Sequence, residues 1–349
     1  MKKALVLLVL FLFMMLAPGQ QNKIREQGVE IKVDEANRKA DIFIQGRYFT
    51  SYIYPTSLEK PVLYPLTSAG GTLVTRGFPI LPRPGERVDH PHQVGFWFNY
   101  GDVNGLDFWG NSYAIPDSLK PRCGSIIHKA INRVEDGTAE GILSVSCDWV
   151  DFQQNVLLRE ETTFRFSGAV NERRIIRTTQ LKAVRDVTFG DTKEGMCALR
   201  VDRAFEAPSD QPEIYTDAAG NTSAVPVLNN TGVNGIYRSS EGKEKDAVWG
   251  TRARWLSLSA NKDQEEISIC LFDHPGNPGY PAYWHARGYG LFSVNNLGQK
   301  AYNASEPART TFLKQGESLI FRHMLWIKSG GMASTLEMNT SFDKFSKTY

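Results

Sequence analysis

The 349-residue chain carries 40 lysines and arginines against 38 aspartates and glutamates, for a formal net charge of +2. Charge so balanced, with both signs interspersed and no long like-charge block, gives no electrostatic reason to expect a nucleic acid as partner. A hydrophobic share of 41% supplies a large core, and length alone allows one big β domain or two smaller ones.

Lys2 and Lys3 precede an almost unbroken apolar run from Ala4 to Ala17, which Pro18-Gly19 ends. The run is shorter than the ~20 residues a spanning helix needs, so a cleaved secretory signal over residues 1–21 fits better than an uncleaved anchor. Cleavage is expected between Ala17 and Asn22, and no cysteine lies there to take a lipid. No later stretch is apolar enough to cross a membrane. The expected product is a periplasmic or secreted chain, 22–349, with no membrane span.

Two runs, Val29–Val33 and Ala40–Tyr54, alternate apolar and polar residues around a turn at Glu35-Ala36-Asn37. Period-two alternation predicts half-buried strands. Residues 55–90 are rich in Pro and Gly and read as loop with short strands. From Gly124 to Lys182 four strand-length runs follow one another, divided by turn-formers such as Asp136-Gly137 and Ser167-Gly168. That spacing predicts an antiparallel meander in which Thr162, Phe164 and Phe166 face inward. Residues 207–250 read as a long loop, either a wall or lid of a site or a mobile surface excursion. Strands resume at 251–259 and 266–274, 317–330 forms a last strand, and residues 333–349 allow a short helix. The whole predicts one all-β domain, a large antiparallel β-sandwich of two packed sheets with long loops.

Cys123, Cys147, Cys197 and Cys270 allow three full disulfide connectivities, with Cys123–Cys147 the most local. Buried free thiols are an equal alternative, and the wide spacing shows no zinc-knuckle pattern.

The stretch DHPHQVGFWFNYGDVNGLDFW, 89–109, concentrates groups able to bind, titrate or stack. His90 and His92 stand at i and i+2, on one side of an extended segment that Pro91 favours. With a third donor from Asp89, Asp102, Asp107, Glu194 or His285, the pair would chelate a divalent metal. Asp102, Asn104 and Asp107 either serve turn geometry or offer acceptors and donors to hydroxyl groups. Trp97 and Trp109 stand among the aromatics beside them, and such rings stack on the apolar faces of sugars. Lys193-Glu194 lies between Gly190 and Gly195, either as a surface ion pair or with Glu194 as a general acid or base. In the run 273–296, Asp273-His274-Pro275 echoes Asp89-His90-Pro91. Trp284 there offers a stacking face, and His285 and Arg287, at i and i+2, share a side of a strand.

With these residues placed, the chain resembles the DUF6807 family, which also carries the label methane oxygenase PmoA family. The matching strings are 89–109, FGDTKEGMCALRV at 189–201, FDHPGNPGYPAYWHARGYGLF at 272–292 and RHMLWI at 322–327. In the family pattern a third histidine and an arginine often follow His92; here Gln93 and Val94 stand instead, which weakens a histidine-cluster metal site. The label implies methane oxidation, whose similarly named subunit spans the membrane many times, and nothing after residue 21 does so here. The resemblance implies an exported bacterial protein that accompanies carbohydrate catabolism. A β-sandwich with cleft histidines and a carboxylate is similar in character to galactose-mutarotase-like folds.

Three functions remain open at this stage. The first is a carbohydrate-active enzyme acting on a small sugar or glycan by acid–base chemistry. Glu194 is its base, and His90, His92 or His285 is the acid partner or clamp. Asp102, Asn104, Asp107, Trp97, Trp109, Lys193, Trp284 and Arg287 hold the substrate. The second is a non-catalytic glycan-binding module. The third is a metal-dependent oxidoreductase using His90 and His92.

Overall fold

The computed structural model describes residues 27–348; the expected signal segment lies outside them. One eight-stranded antiparallel sheet runs, in spatial order, Val29–Asp34 (β1), Lys39–Ile44 (β2), Arg47–Ile53 (β3), Val62–Leu66 (β4), Phe96–Tyr100 (β5), Gly195–Arg200 (β11), Leu291–Asn295 (β16) and Tyr283–Arg287 (β15). The second sheet, also eight-stranded, runs Ile236–Ser239 (β12), Trp255–Lys262 (β13), Glu265–Asp273 (β14), Ser318–Ser329 (β18), Glu172–Ala183 (β9), Val156–Ala169 (β8), Gly141–Val150 (β7) and Ser125–Glu135 (β6). Val187–Phe189 (β10) and Thr311–Leu313 (β17) pair as a small ribbon. The expected all-β architecture of two large antiparallel sheets is therefore present.

The four runs of the expected meander are β6 to β9, paired in sequence. In β8, Thr162, Phe164 and Phe166 point inward, as alternation requires. The same inward face carries Glu160, whose carboxylate accepts from Arg177 of β9 at 2.7 Å and from the Trp149 indole at 2.8 Å. A buried charge pair survives there because its hydrogen bonds are made inside the core.

One expected strand is in fact two. The run 40–54 breaks at Gln45-Gly46, where φ is 53° and 72°. Two consecutive left-handed residues make the tight turn that matches strand twist, so β2 folds back on β3 with Ile44 opposite Arg47. The polar-aromatic run 273–296 likewise contains a hairpin, β15 and β16.

The main core lies between the sheets, filled from both by residues such as Phe49, Phe98, Trp149, Phe166 and Leu258. The helix Thr335–Thr348 (α1) covers the far face of the second sheet, with Met338, Phe342 and Phe345 against Trp255, Phe272 and Trp326. On the far face of the first sheet Trp97, Trp109, Val94 and Leu291 form a smaller apolar layer. Above that layer is a cleft.

Candidate functional site

Register decides which side chains reach the cleft. Across β5, β11, β16 and β15 the aligned row is Trp97, Ala198, Ser293 and His285. The adjacent row is Phe98, Cys197, Val294 and Trp284. Successive residues of a strand face opposite ways, so the second row enters the inter-sheet core and the first faces outward. Ala198 and Ser293 are small, which keeps the middle of the outward row low. His285 stands at its end, and Arg287, two residues on, shares its side.

Above this row is a cavity of about 780 Å³ whose lining includes His90, His92, Asp107, Trp109, Lys193, Glu194, His285 and Arg287. Three segments distant in sequence therefore meet in one place. Asp246, Trp249, Gln93 and Tyr289 complete the walls. None of these four was expected from sequence, although Asp246 and Trp249 come from the end of the loop-rich stretch 207–250 read as a wall or excursion. Trp249 carries the Arg287 guanidinium over its ring at 4.7 Å.

Four expected ligand-binding residues stand away from the cavity. Trp284 is fully buried and donates its indole N–H to the Ala253 carbonyl at 3.0 Å. Trp97 is covered by Trp109, with ring centroids 5.4 Å apart, and its N–H donates to Asn99 Oδ1. Asp102 accepts from the Gly105 N–H at 2.9 Å, and Asn104, at φ 54°, accepts from the Thr188 N–H at 2.7 Å. Asp102 thus serves the turn, and Asn104 ties the turn to β10. Asp107 caps its own loop, accepting from the Trp109 and Gly110 N–H groups at 2.8 Å each, yet it also lines the cavity.

Glu194 is set by the loop before β11. Its carbonyl accepts from the Gly101 N–H at 2.7 Å, and a side chain at Gly101 would meet Glu194 Cβ at 2.6 Å, so glycine permits this approach. The neighbouring Lys193 carbonyl accepts from the Tyr302 hydroxyl. Lys193 Nζ binds Glu194 Oε1, and Glu194 Oε2 lies 3.6 Å from His285 Nδ1. Burial, followed by the charges of Lys193 and Arg287, pushes the His285 pKa down to about 3. His285 is thus a neutral imidazole at ordinary pH, and its Nδ1 makes no hydrogen bond among the described residues.

His90 and His92 are not the extended pair expected. His90 adopts φ 44°, and the Gln93 N–H closes a turn on its carbonyl at 3.0 Å. Arg76 stabilises that turn by donating to the Asp89 and His90 carbonyls at 2.8 and 2.9 Å. The two rings stand edge to face, centroids 5.6 Å apart. His90 Nδ1 is bonded to Asp89 Oδ2 at 2.6 Å, and burial with nearby Lys60 pushes His92 down to about 2. Among the described residues no group of three or more His, Cys, Asp or Glu side chains is placed to hold a metal ion. The donors present therefore do not fit the divalent-metal expectation.

Fold and cleft together define a two-sheet β protein with a carboxylate–imidazole pair in an aromatic-walled cavity. The sequence matches the family of unknown function DUF6807 over residues 39–343, and the chain belongs to that family. A comparison with curated proteins finds no match. Among solved structures it is similar to the GH36 α-galactosidase AgaA from Geobacillus stearothermophilus, with 9% identity and TM-score 0.39 over 87% of this chain and 41% of that one. It is also similar to a galactose mutarotase-like protein from Clostridium acetobutylicum, with 8% identity and TM-score 0.36 over 88% of this chain and 100% of that one. The chain thus spans about two-fifths of the α-galactosidase AgaA chain.

Proposed function

We propose that the cleft binds a carbohydrate and moves a proton on it. The observation that carries this reading is the pairing of Glu194 with neutral His285 at 3.6 Å inside the cavity. A carboxylate in such a place takes a proton from a substrate hydroxyl or carbon. A neutral imidazole beside it donates a hydrogen bond to the oxygen on which negative charge then grows. His285 thereby acts as a neutral donor rather than as the imidazolium acid that sequence alone allowed. Trp109 and Trp249 offer faces to sugar C–H groups, and Asp246, Lys193 and Arg287 are placed for hydroxyls.

The test is a panel of mono- and oligosaccharides screened by calorimetry and by NMR for turnover, wild type beside Glu194→Gln. Glu194→Gln is expected to bind within a few-fold of wild type and to lose roughly 10²–10⁴ in turnover, the usual share of a positioned base. No binding to any sugar, or equal turnover by both proteins, would overturn the reading. A glycan-binding module without turnover is the second reading. It is favoured by the Lys193 contact, which leaves one Glu194 oxygen already engaged. It predicts binding by both proteins and turnover by neither. Export of the chain is part of the proposal, and N-terminal sequencing of the protein from fractionated cells checks it.

A further inference from the structure

Asp89 lies behind the cleft wall with both carboxylate oxygens engaged. Oδ1 accepts from Arg76 Nη1 and from Arg200 Nη2, each at 2.7 Å. Oδ2 faces His90 Nδ1 at 2.6 Å. Burial raises the Asp89 pKa, but Arg200, the His90 hydrogen bond and Arg76 outweigh it and hold the carboxyl well below the usual range. An ionised carboxylate only accepts hydrogen bonds, and a guanidinium only donates them. His90 Nδ1 must therefore be the donor.

The rest of the imidazole is held as firmly. Its ring stacks on Tyr289 with centroids 5.0 Å apart and planes 11° apart, and Tyr289 in turn lies over the Arg200 guanidinium at 4.7 Å. His90 lines the cavity with its side chain 41% exposed, and Nε2 makes no hydrogen bond among the described residues.

We infer that Asp89 and His90 form a preset dyad: the arginine-clamped carboxylate fixes His90 as its Nδ1–H tautomer and leaves Nε2 as a second proton acceptor for a ligand in the cleft. The inference rests on the acid–base reading of this cavity and adds a second base from a different segment. A proton leaving a ligand O–H or C–H goes to Nε2. The imidazolium that forms keeps its Nδ1–H bond to the Asp89 carboxylate, which stabilises the new charge. Asp89 acts through His90 and is a positioning residue. Arg76 and Arg200 position Asp89 in turn.

The clamp makes Asp89→Asn informative. An asparagine there must turn its oxygen toward the two guanidinia, because they accept nothing. Its amide N–H then faces His90 Nδ1, which becomes an acceptor, and the proton moves to Nε2. The experiment is long-range proton–nitrogen NMR on ligand-free full chain labelled with 15N-histidine at alkaline pH, with His90 assigned by its absence in His90→Gln. Wild type is expected to show protonated Nδ1 and unprotonated Nε2. Asp89→Asn is expected to show the inverse, and Glu194→Gln the wild-type pattern. Glu194→Gln keeps this result separate from the turnover test. A wild-type His90 protonated at Nε2 would overturn the dyad, as would a folded Asp89→Asn that keeps the wild-type tautomer. Should Asp89→Asn fail to fold, the wild-type tautomer still decides.

Discussion

Lys60 is 5% exposed, with its ammonium donating to the His92 carbonyl at 2.7 Å and lying 5.5 Å from the Trp97 ring centre. Burial pushes its pKa down to about 7 against the opposing pull of Asp107 and Glu59. The sign of its effect on stability follows. An unfolded chain keeps this lysine at its ordinary value near 10.4, so between pH 7 and 10 the unfolded state binds more protons and stability rises with pH. One such group supplies a slope of at most about 1.4 kcal/mol per pH unit. Lys60→Met is expected to flatten that rise and to stabilise the fold at pH 7, because no charge is then buried. Urea unfolding of both proteins across pH 7 to 9.5 checks this, and parallel profiles would rule it out. Below pH 7, where this lysine beneath the cleft is charged, it helps hold the His92 imidazole neutral. Nothing in the sequence marks this lysine: it sits in a Pro- and Gly-rich loop, and its burial depends on His92 and Trp97, which lie in a separate segment of the chain. Glu194, His285 and Arg287 were legible because chemistry-bearing types cluster in short runs. Arg76, Arg200 and Tyr289 orient the histidine wall only through contacts across the fold, so that even Arg200 and Tyr289, which lie inside the runs 189–201 and 272–292, show no role in the sequence.

Element by element, local pattern foretold the strands better than the faces they present. The meander and the last strand follow from alternation and turn-formers in the sequence, whereas α1 is only allowed by it. Trp284 shows where that reasoning stopped. It is adjacent to His285, so the two cannot share a face, and only the pairing of β15 with β16 settles which one enters the cleft. The helix makes two predictions. At its start Ser334 and Glu337 cap one another: the Glu337 N–H donates to Ser334 Oγ at 3.2 Å, and the Ser334 N–H donates to the Glu337 carboxylate at 2.8 Å. Ser334→Ala is expected to cost about 1 kcal/mol in denaturant unfolding, as loss of such a cap does. Phe342 is nearly buried against the second sheet, and Phe342→Ala is expected to cost roughly 3–5 kcal/mol. A loss from Phe342→Ala no larger than that from Ser334→Ala would mean that α1 is held by its end and not by its face.

The molecule as a whole needs no covalent brace. Cys123, Cys147, Cys197 and Cys270 are all free and buried, which resolves the connectivities left open by the sequence. Burial pushes the Cys197 thiol up to about 12, so it is unreactive at neutral pH. A thiol reagent is therefore expected to titrate none of the four in native protein and all four in denaturant, and a reductant is expected to leave the thermal midpoint where it is. Disulfide-linked peptides recovered from the mature protein would contradict this. Among the described residues no helix is long and apolar enough to cross a membrane. The cleft draws on residues near 90, 194 and 285, brought side by side by the order β5, β11, β16, β15. That order has a kinetic consequence. Each of these pairings except the final hairpin closes a long loop, and loop-closure entropy must be met before such contacts return any energy. The meander β6 to β9, built from neighbours in sequence, has no such delay. During refolding, capacity to hold a ligand should accordingly lag behind the gain of β structure, so that the working surface is completed among the last parts of the molecule to assemble.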